Sequence, residues 1–214
     1  MAQRVPATQI VAFRGWLKDG TDDVRTALKN AQESGCWGSG AGLRMTADST
    51  LALSGAVLDE YLAQGEKNRD CRLLLELDPA GTEGREKLFV GKCLDALQAH
   101  RLLDPKRVGF LSASLPLCRE LAQAAPGFSV SYRGDDLTPA VLHAEGINGI
   151  ACDYGVLERH PDWVRQARDL GVSVQVRSVD DDEAAIRKMR DAGVDRIATD
   201  HPDRVREILW ENCR

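Results

Sequence analysis

Short, mostly apolar runs recur along this chain at positions 10–13, 42–45, 73–77, 108–112, 129–133, 149–153, 173–177 and 196–199, separated largely by stretches of helical spacing. This alternation constrains the fold more than any other feature. Such runs are expected of parallel strands covered on both faces. Parallel neighbours cannot be joined by a tight turn, so each pair needs a crossover, usually a helix. The intervening segments supply it. In "DDVRTALKNAQESG", Val24, Leu28 and Ala31 fall on one face and Gly35 suits a C-terminal stop. The segments "GREKLFVGKCLDALQAHRLL", "SLPLCRELAQAAPG", "TPAVLHAEG", "HPDWVRQARDLG" and "DDEAAIRKMRDAG" follow, most closing on glycine. Thr138-Pro139 and His160-Pro161 are expected helix entries, because the first turn of a helix tolerates proline.

Eight strands with intervening helices in 214 residues fit most economically into an α/β fold of the closed (β/α)8 TIM-barrel type. An open doubly wound sheet has the same periodicity. No linker, low-complexity segment or clean internal repeat interrupts the pattern, so one domain over residues 1–214 is expected. The net charge of −5 comes without a large basic block, which argues against a nucleic-acid partner, since phosphate binding needs clustered Lys and Arg. No run of about 18 apolar residues is present, so no transmembrane segment is expected. The first dozen residues lack the pattern of a secretory signal, which makes a cytoplasmic location the default; a leader preceding this numbering would make the protein periplasmic or secreted. Six cysteines at 36, 71, 93, 118, 152 and 213 lie far apart without a CxxC pair, and they read as small buried thiols rather than a disulfide framework or metal site.

Reacting groups in such a barrel sit at the C-terminal ends of the strands. Those ends read "FRG", "SGAGLRM", "LLLELDP", "FLSAS", "SYRGDD", "ACDYG", "QVRSVDDD" and "IATDHP". Together with "GCWGSGAGLRMTAD", "LDEYLAQGEK", "YRGDDLTP", "HPDWVRQARDLGVSVQVRSVDD" and "AGVDRIATDHPDRVREIL", they make the chain resemble the glycerophosphodiester phosphodiesterases nearly end to end. These are PLC-like phosphodiesterase TIM barrels of lipid metabolism, and the likeness is strongest to a bacterial branch. The resemblance implies a divalent cation, Mg²⁺ or Ca²⁺, and hydrolysis of a glycerophosphodiester to glycerol 3-phosphate and an alcohol.

The departures from that pattern weigh more than the match. The family's histidine before Arg-Gly, an acid/base group, falls on Phe13. Its glutamate and aspartate metal ligands on the second strand fall on Gly40 and Gly42. The small insertion bearing a second catalytic histidine is missing, because Leu51-Ala52-Leu53 runs through Ser54-Gly55-Ala56 directly into "VLDEYL". Glu76 alone matches a metal ligand, while Asp78 stands in place of a lysine and Arg177 in place of a tryptophan. Phenylalanine has no titratable proton, and one carboxylate makes a poor site for a hard cation. Loss of one acid/base group alone costs about 10²–10⁴-fold in rate.

A pseudoenzyme is therefore expected, with no cofactor and with a small phosphate-bearing ligand held at the barrel mouth. Arg14, Arg44 and Arg177 are the anion-binding candidates, since guanidinium groups hold phosphate by paired hydrogen bonds without metal. Arg133, Asp153 and Tyr154 also stand at strand ends. The plainer alternative is that the arginines neutralise Glu76, Asp78 and Asp200. Two other functions stay open. One is an active phosphoric diester hydrolase with a rebuilt site using Glu76, Asp78, Asp200 or His201; the other is a scaffold whose mouth is irrelevant. Trp37, Tyr154 and Trp163 read as packing residues, Val205, Ile208 and Leu209 as the inner face of a last helix, and the acidic run 180–183 as a solvated helix start.

Overall fold

The strand Gln9–Ala12 (β1) pairs in parallel with strands on both of its sides, and that double pairing closes the sheet. A computed structural model describes residues 8–12, 24–54, 57–67, 69–177 and 182–210. The expected positions Phe13 and Arg14 lie outside the described residues. Around the barrel β1 is followed by Arg196–Thr199 (β9), Ser173–Arg177 (β8), Gly149–Asp153 (β7) and Ser129–Arg133 (β6). Val108–Ser112 (β5), Arg72–Leu77 (β4) and Gly38–Met45 (β2) complete the circuit, and β2 returns to β1. The (β/α)8 barrel is thus closed and the open sheet is ruled out by the β1–β2 pairing.

The strand positions agree closely with those read from the sequence, with one extension and one addition. Strand β2 begins at Gly38, four residues before the expected start at 42, because the small residues of "GSGA" leave no apolar run to signal it. Leu51–Leu53 (β3) pairs antiparallel with the end of β2, Leu43 opposite Leu53 and Met45 opposite Leu51. This hairpin carries β2 past the barrel rim. Residues 54–57 alone then connect β3 to the helix Leu58–Lys67 (α2).

The remaining helices are Val24–Glu33 (α1), Glu83–Ala99 (α3), Leu115–Ala124 (α4), Pro139–Ala144 (α5), Tyr154–Arg159 (α6), Trp163–Leu170 (α7), Glu183–Ala192 (α8) and Pro202–Trp210 (α9). Thr138 caps α5 as expected, its hydroxyl accepting the Val141 N–H at 3.3 Å. The expected entry at His160-Pro161 is displaced. His160 instead ends α6, its N–H donating to the Val156 carbonyl, and α7 begins at Trp163. The His160 carbonyl accepts the Trp163 N–H at 3.1 Å, so a single turn leads from α6 into α7. Asp182 caps α8 by accepting from the N–H groups of Ala184 and Ala185. Glycines 171 and 193 end α7 and α8 with φ of 71° and 81°, a conformation that side chains resist.

Period-two alternation sorts every strand into a helix-facing side and a lumen-facing side. Leu73, Leu75, Leu77, Val108, Phe110, Val130, Ile150, Val174, Val176 and Ile197 are buried beneath the helices, where Phe89, Val90, Leu117, Ile186, Val205 and Ile208 meet them. The lumen is packed by contrast of sizes. Leu74 projects into it opposite Gly38 and Gly109, where an added Cβ would meet Leu74 at 3.3 and 2.9 Å. Trp37 closes the opposite, N-terminal end of the barrel, half-buried under the guanidinium groups of Arg72 and Arg196. Five cysteines are buried free thiols, as expected, and Cys213 lies outside the described residues.

Candidate functional site

Strand alternation that places Glu76, Ser131 and Gln175 on the lumen wall also turns Arg133 and Arg177, two residues further along, toward the C-terminal mouth. There the side chains form two ion pairs. Glu76 on β4 lies 2.6 Å from Arg133 Nε on β6, with 15% and 30% of the two side chains exposed. The contact is off the N–H axis, so it is an ion pair without an aligned hydrogen bond, and that Nε–H has no acceptor among the described residues. Arg177 on β8 donates from a terminal nitrogen to Asp153 Oδ1 on β7 at 3.1 Å. The register sets Asp153 directly beside Arg177. The Arg177 Nε–H is buried and likewise has no acceptor among the described residues.

The other sequence-derived candidates are scattered around this rim. Gly40 is buried in the lumen wall and Gly42 stands one step nearer the mouth. A side chain at Gly42 would begin 3.1 Å from Ser54 Oγ, which now occupies the space beside it. Arg44 is exposed on the β2–β3 hairpin, beyond the barrel. Asp78 is exposed, and its backbone N–H donates to the Leu43 carbonyl. Asp200 is exposed just after β9. His201 is also exposed, its backbone N–H donating to Thr199 Oγ1 and its carbonyl accepting from Val205 as α9 begins. Tyr154 donates to Glu158 at 2.8 Å within α6, and Lys188 on α8 reaches the same carboxylate at 3.0 Å, so Glu158 ties α6 to α8.

Sequence reasoning grouped the arginines with Glu76, Asp78 and Asp200. The structure pairs Arg133 with Glu76, as the plainer alternative expects, and Arg177 with Asp153, a carboxylate outside that set. Arg133 was legible only as a strand-end residue. Its pairing with Glu76 depends on which strands lie close across the mouth, and no local pattern carries that.

A divalent cation does not fit the described residues. Mg²⁺ and Ca²⁺ want several oxygen ligands. Among the described residues no three His, Cys, Asp or Glu side chains converge. Gly40 and Gly42 contribute no side-chain oxygen, and Glu76 already faces a guanidinium. Beneath the rim Cys152 is buried, and burial pushes its thiol up to about 12.

The sequence model of the glycerophosphoryl diester phosphodiesterase family matches residues 28–204. The chain belongs to this family. A glycerophosphodiester phosphodiesterase from Parabacteroides distasonis superposes with a TM-score of 0.89 at 28% identity, covering 97% of this chain and 99% of that one. A protein from Silicibacter pomeroyi described as a glycerophosphoryl diester phosphodiesterase superposes at 0.79 with 20% identity, over 96% and 94% of the two chains. A phosphodiesterase from Oleispira antarctica, solved with sn-glycerol-3-phosphate, shares the fold at a TM-score of 0.69 and 17% identity over 95% and 97%. Among curated proteins none matches this chain by sequence. Of the described residues, no helix is long and apolar enough to cross a membrane.

Proposed function

We propose that this phosphodiesterase-family chain is a single-domain barrel that has lost metal-dependent hydrolysis and binds a small phosphate-bearing ligand without a cofactor. The observation that carries the reading is the pairing of Glu76 with Arg133 at 2.6 Å. Glu76 is the one residue matching a family metal ligand, and a guanidinium stands against it where a cation would have to approach. Gly40 and Gly42 offer no replacement carboxylate, and Phe13 no proton to transfer. Phosphodiester cleavage needs a base for the nucleophile, an acid for the leaving oxygen and positive charge on the phosphate oxygens. Only the third of these is well supplied here. Arg14, Arg44 and Arg177 are the proposed anion ligands, and the Arg177 Nε–H still lacks an acceptor among the described residues.

A second reading is an active phosphoric diester hydrolase with a rebuilt site, in which Glu76, Asp78, Asp200 or His201 move protons. The near-complete coverage of an enzyme at 28% identity favours it. The two are separated by assaying the purified protein on glycerophosphocholine with Mg²⁺, Ca²⁺ or Mn²⁺ and with chelator, beside an active relative. The first reading expects no turnover above the blank in any condition. Metal-dependent turnover that disappears in Glu76→Ala would establish the second instead.

A further inference from the structure

Below the mouth, the barrel interior contains a guanidinium that forms no ion pair among the described residues. Arg196, the first residue of β9, is 6% exposed. Its guanidinium stacks on Trp37, 4.5 Å from the ring centroid, and Arg72 stacks on the same ring at 4.7 Å. A terminal nitrogen of Arg196 donates to the Ser173 hydroxyl, whereas the Nε–H has no acceptor among the described residues. Asp195 is the nearest source of compensation, but its carboxylate accepts the Val174 N–H at 2.7 Å and forms no ion pair with Arg196 among the described residues. Burial works against the charged form of Arg196, Asp195 offsets it only in part, and Arg72 adds repulsion. A guanidinium cannot escape by losing its proton. A buried charge without a counter-charge is among the costliest arrangements a protein interior can hold.

Arg196 lines a cavity of about 20 Å³ in the lumen, together with Gly40, Glu76, Ser129, Ser131 and Gln175. That volume is of the order of one water molecule or one monatomic ion and is too small for a polyatomic ligand. Gly40 leaves the space open because it carries no side chain. Ser129, Ser131, Gln175 and Arg196 bring hydrogen-bond donors to a wall that is otherwise largely apolar. Glu76 is the one anionic member of the wall, and its charge faces Arg133 at 2.6 Å.

We propose that this cavity binds a single halide ion, chloride under physiological conditions, as the counterion of Arg196. A water molecule would fill the same volume but leave the charge unmet. The site lies below the ligand proposed for the mouth and shares with that reading the Glu76–Arg133 pair, which takes up the one negative charge in its wall. Crystals grown in sodium bromide test it directly: an anomalous bromine peak in the lumen beside Arg196 is expected, and its absence, with only water density there, overturns the proposal. In solution, melting is compared in sodium chloride and sodium gluconate at equal ionic strength, gluconate being far too large to enter. A halide at ten to a hundred times its dissociation constant raises Tm by about 3–8 °C in a domain of this size. Arg196→Met is expected to abolish that difference; a difference that persists in this variant would mean a general salt effect and overturn the proposal. If Arg196→Met does not fold, the bromide experiment on the unaltered protein decides alone.

Discussion

Replacing Arg133 with methionine tests whether the mouth is held by its ion pairs. Methionine keeps most of the side-chain volume and removes the charge, leaving Glu76 with 15% of its side chain exposed and no partner at 2.6 Å. Breaking a fully buried pair costs about 3–5 kcal/mol. Partial exposure of both groups reduces this, so about 2–4 kcal/mol is expected for Arg133→Met. Glu76→Gln leaves the better-exposed arginine unpaired and should cost only about 1 kcal/mol. In Glu76→Gln/Arg133→Met neither charge remains, and the double variant should recover most of the loss, giving a coupling of about 1.5–3 kcal/mol. Urea unfolding followed by tryptophan fluorescence supplies all four corners of this cycle, and Tm should fall by roughly 5–12 °C in Arg133→Met alone. Additivity of the two single changes to within about 0.5 kcal/mol would refute the reasoning. It would mean that the 2.6 Å contact is solvent-screened and that Glu76 is free to meet a cation.

Two further outcomes are expected. Burial pushes Cys36 up to about 11 and Cys71, Cys93, Cys118 and Cys152 up to about 12. Below pH 9 these thiols are neutral in both states and stability does not depend on them. Above it the unfolded chain releases protons that the folded chain retains, so stability falls by about 1.4 kcal/mol per pH unit for each thiol until the folded values are reached. Urea midpoints at pH 8 and 10 check this, and equal midpoints would contradict it. Gly149→Ala would place a methyl far inside contact distance of Ser131 Oγ and 3.1 Å from Ser173 Oγ within the lumen. A loss of about 1–3 kcal/mol is expected from such overpacking, measured by the same unfolding assay.

The alternation of short apolar runs with helical segments determined a parallel α/β fold, because each parallel strand buried on both faces announces itself locally and each crossover does too, whereas closure into a barrel rests on the β1–β2 pairing. Strand ends, caps and terminating glycines were readable for the same reason: Thr138, Gly171 and Gly193 act on their own neighbours. The start of β2 was not readable, since glycine and serine carry no hydrophobic signal while their backbone pairing is supplied by β1 and β4. The family resemblance likewise singled out Gly40 and Gly42 by position alone. What the sequence left undecided was which charges meet. Arg133 and Glu76 are 57 positions apart and approach only because the closed barrel turns their strand ends toward one mouth. Arg196 and Trp37 are further apart still and meet at the other end for the same reason. Charge pairing across a lumen depends on closure, register and strand order together, and tertiary structure alone sets those.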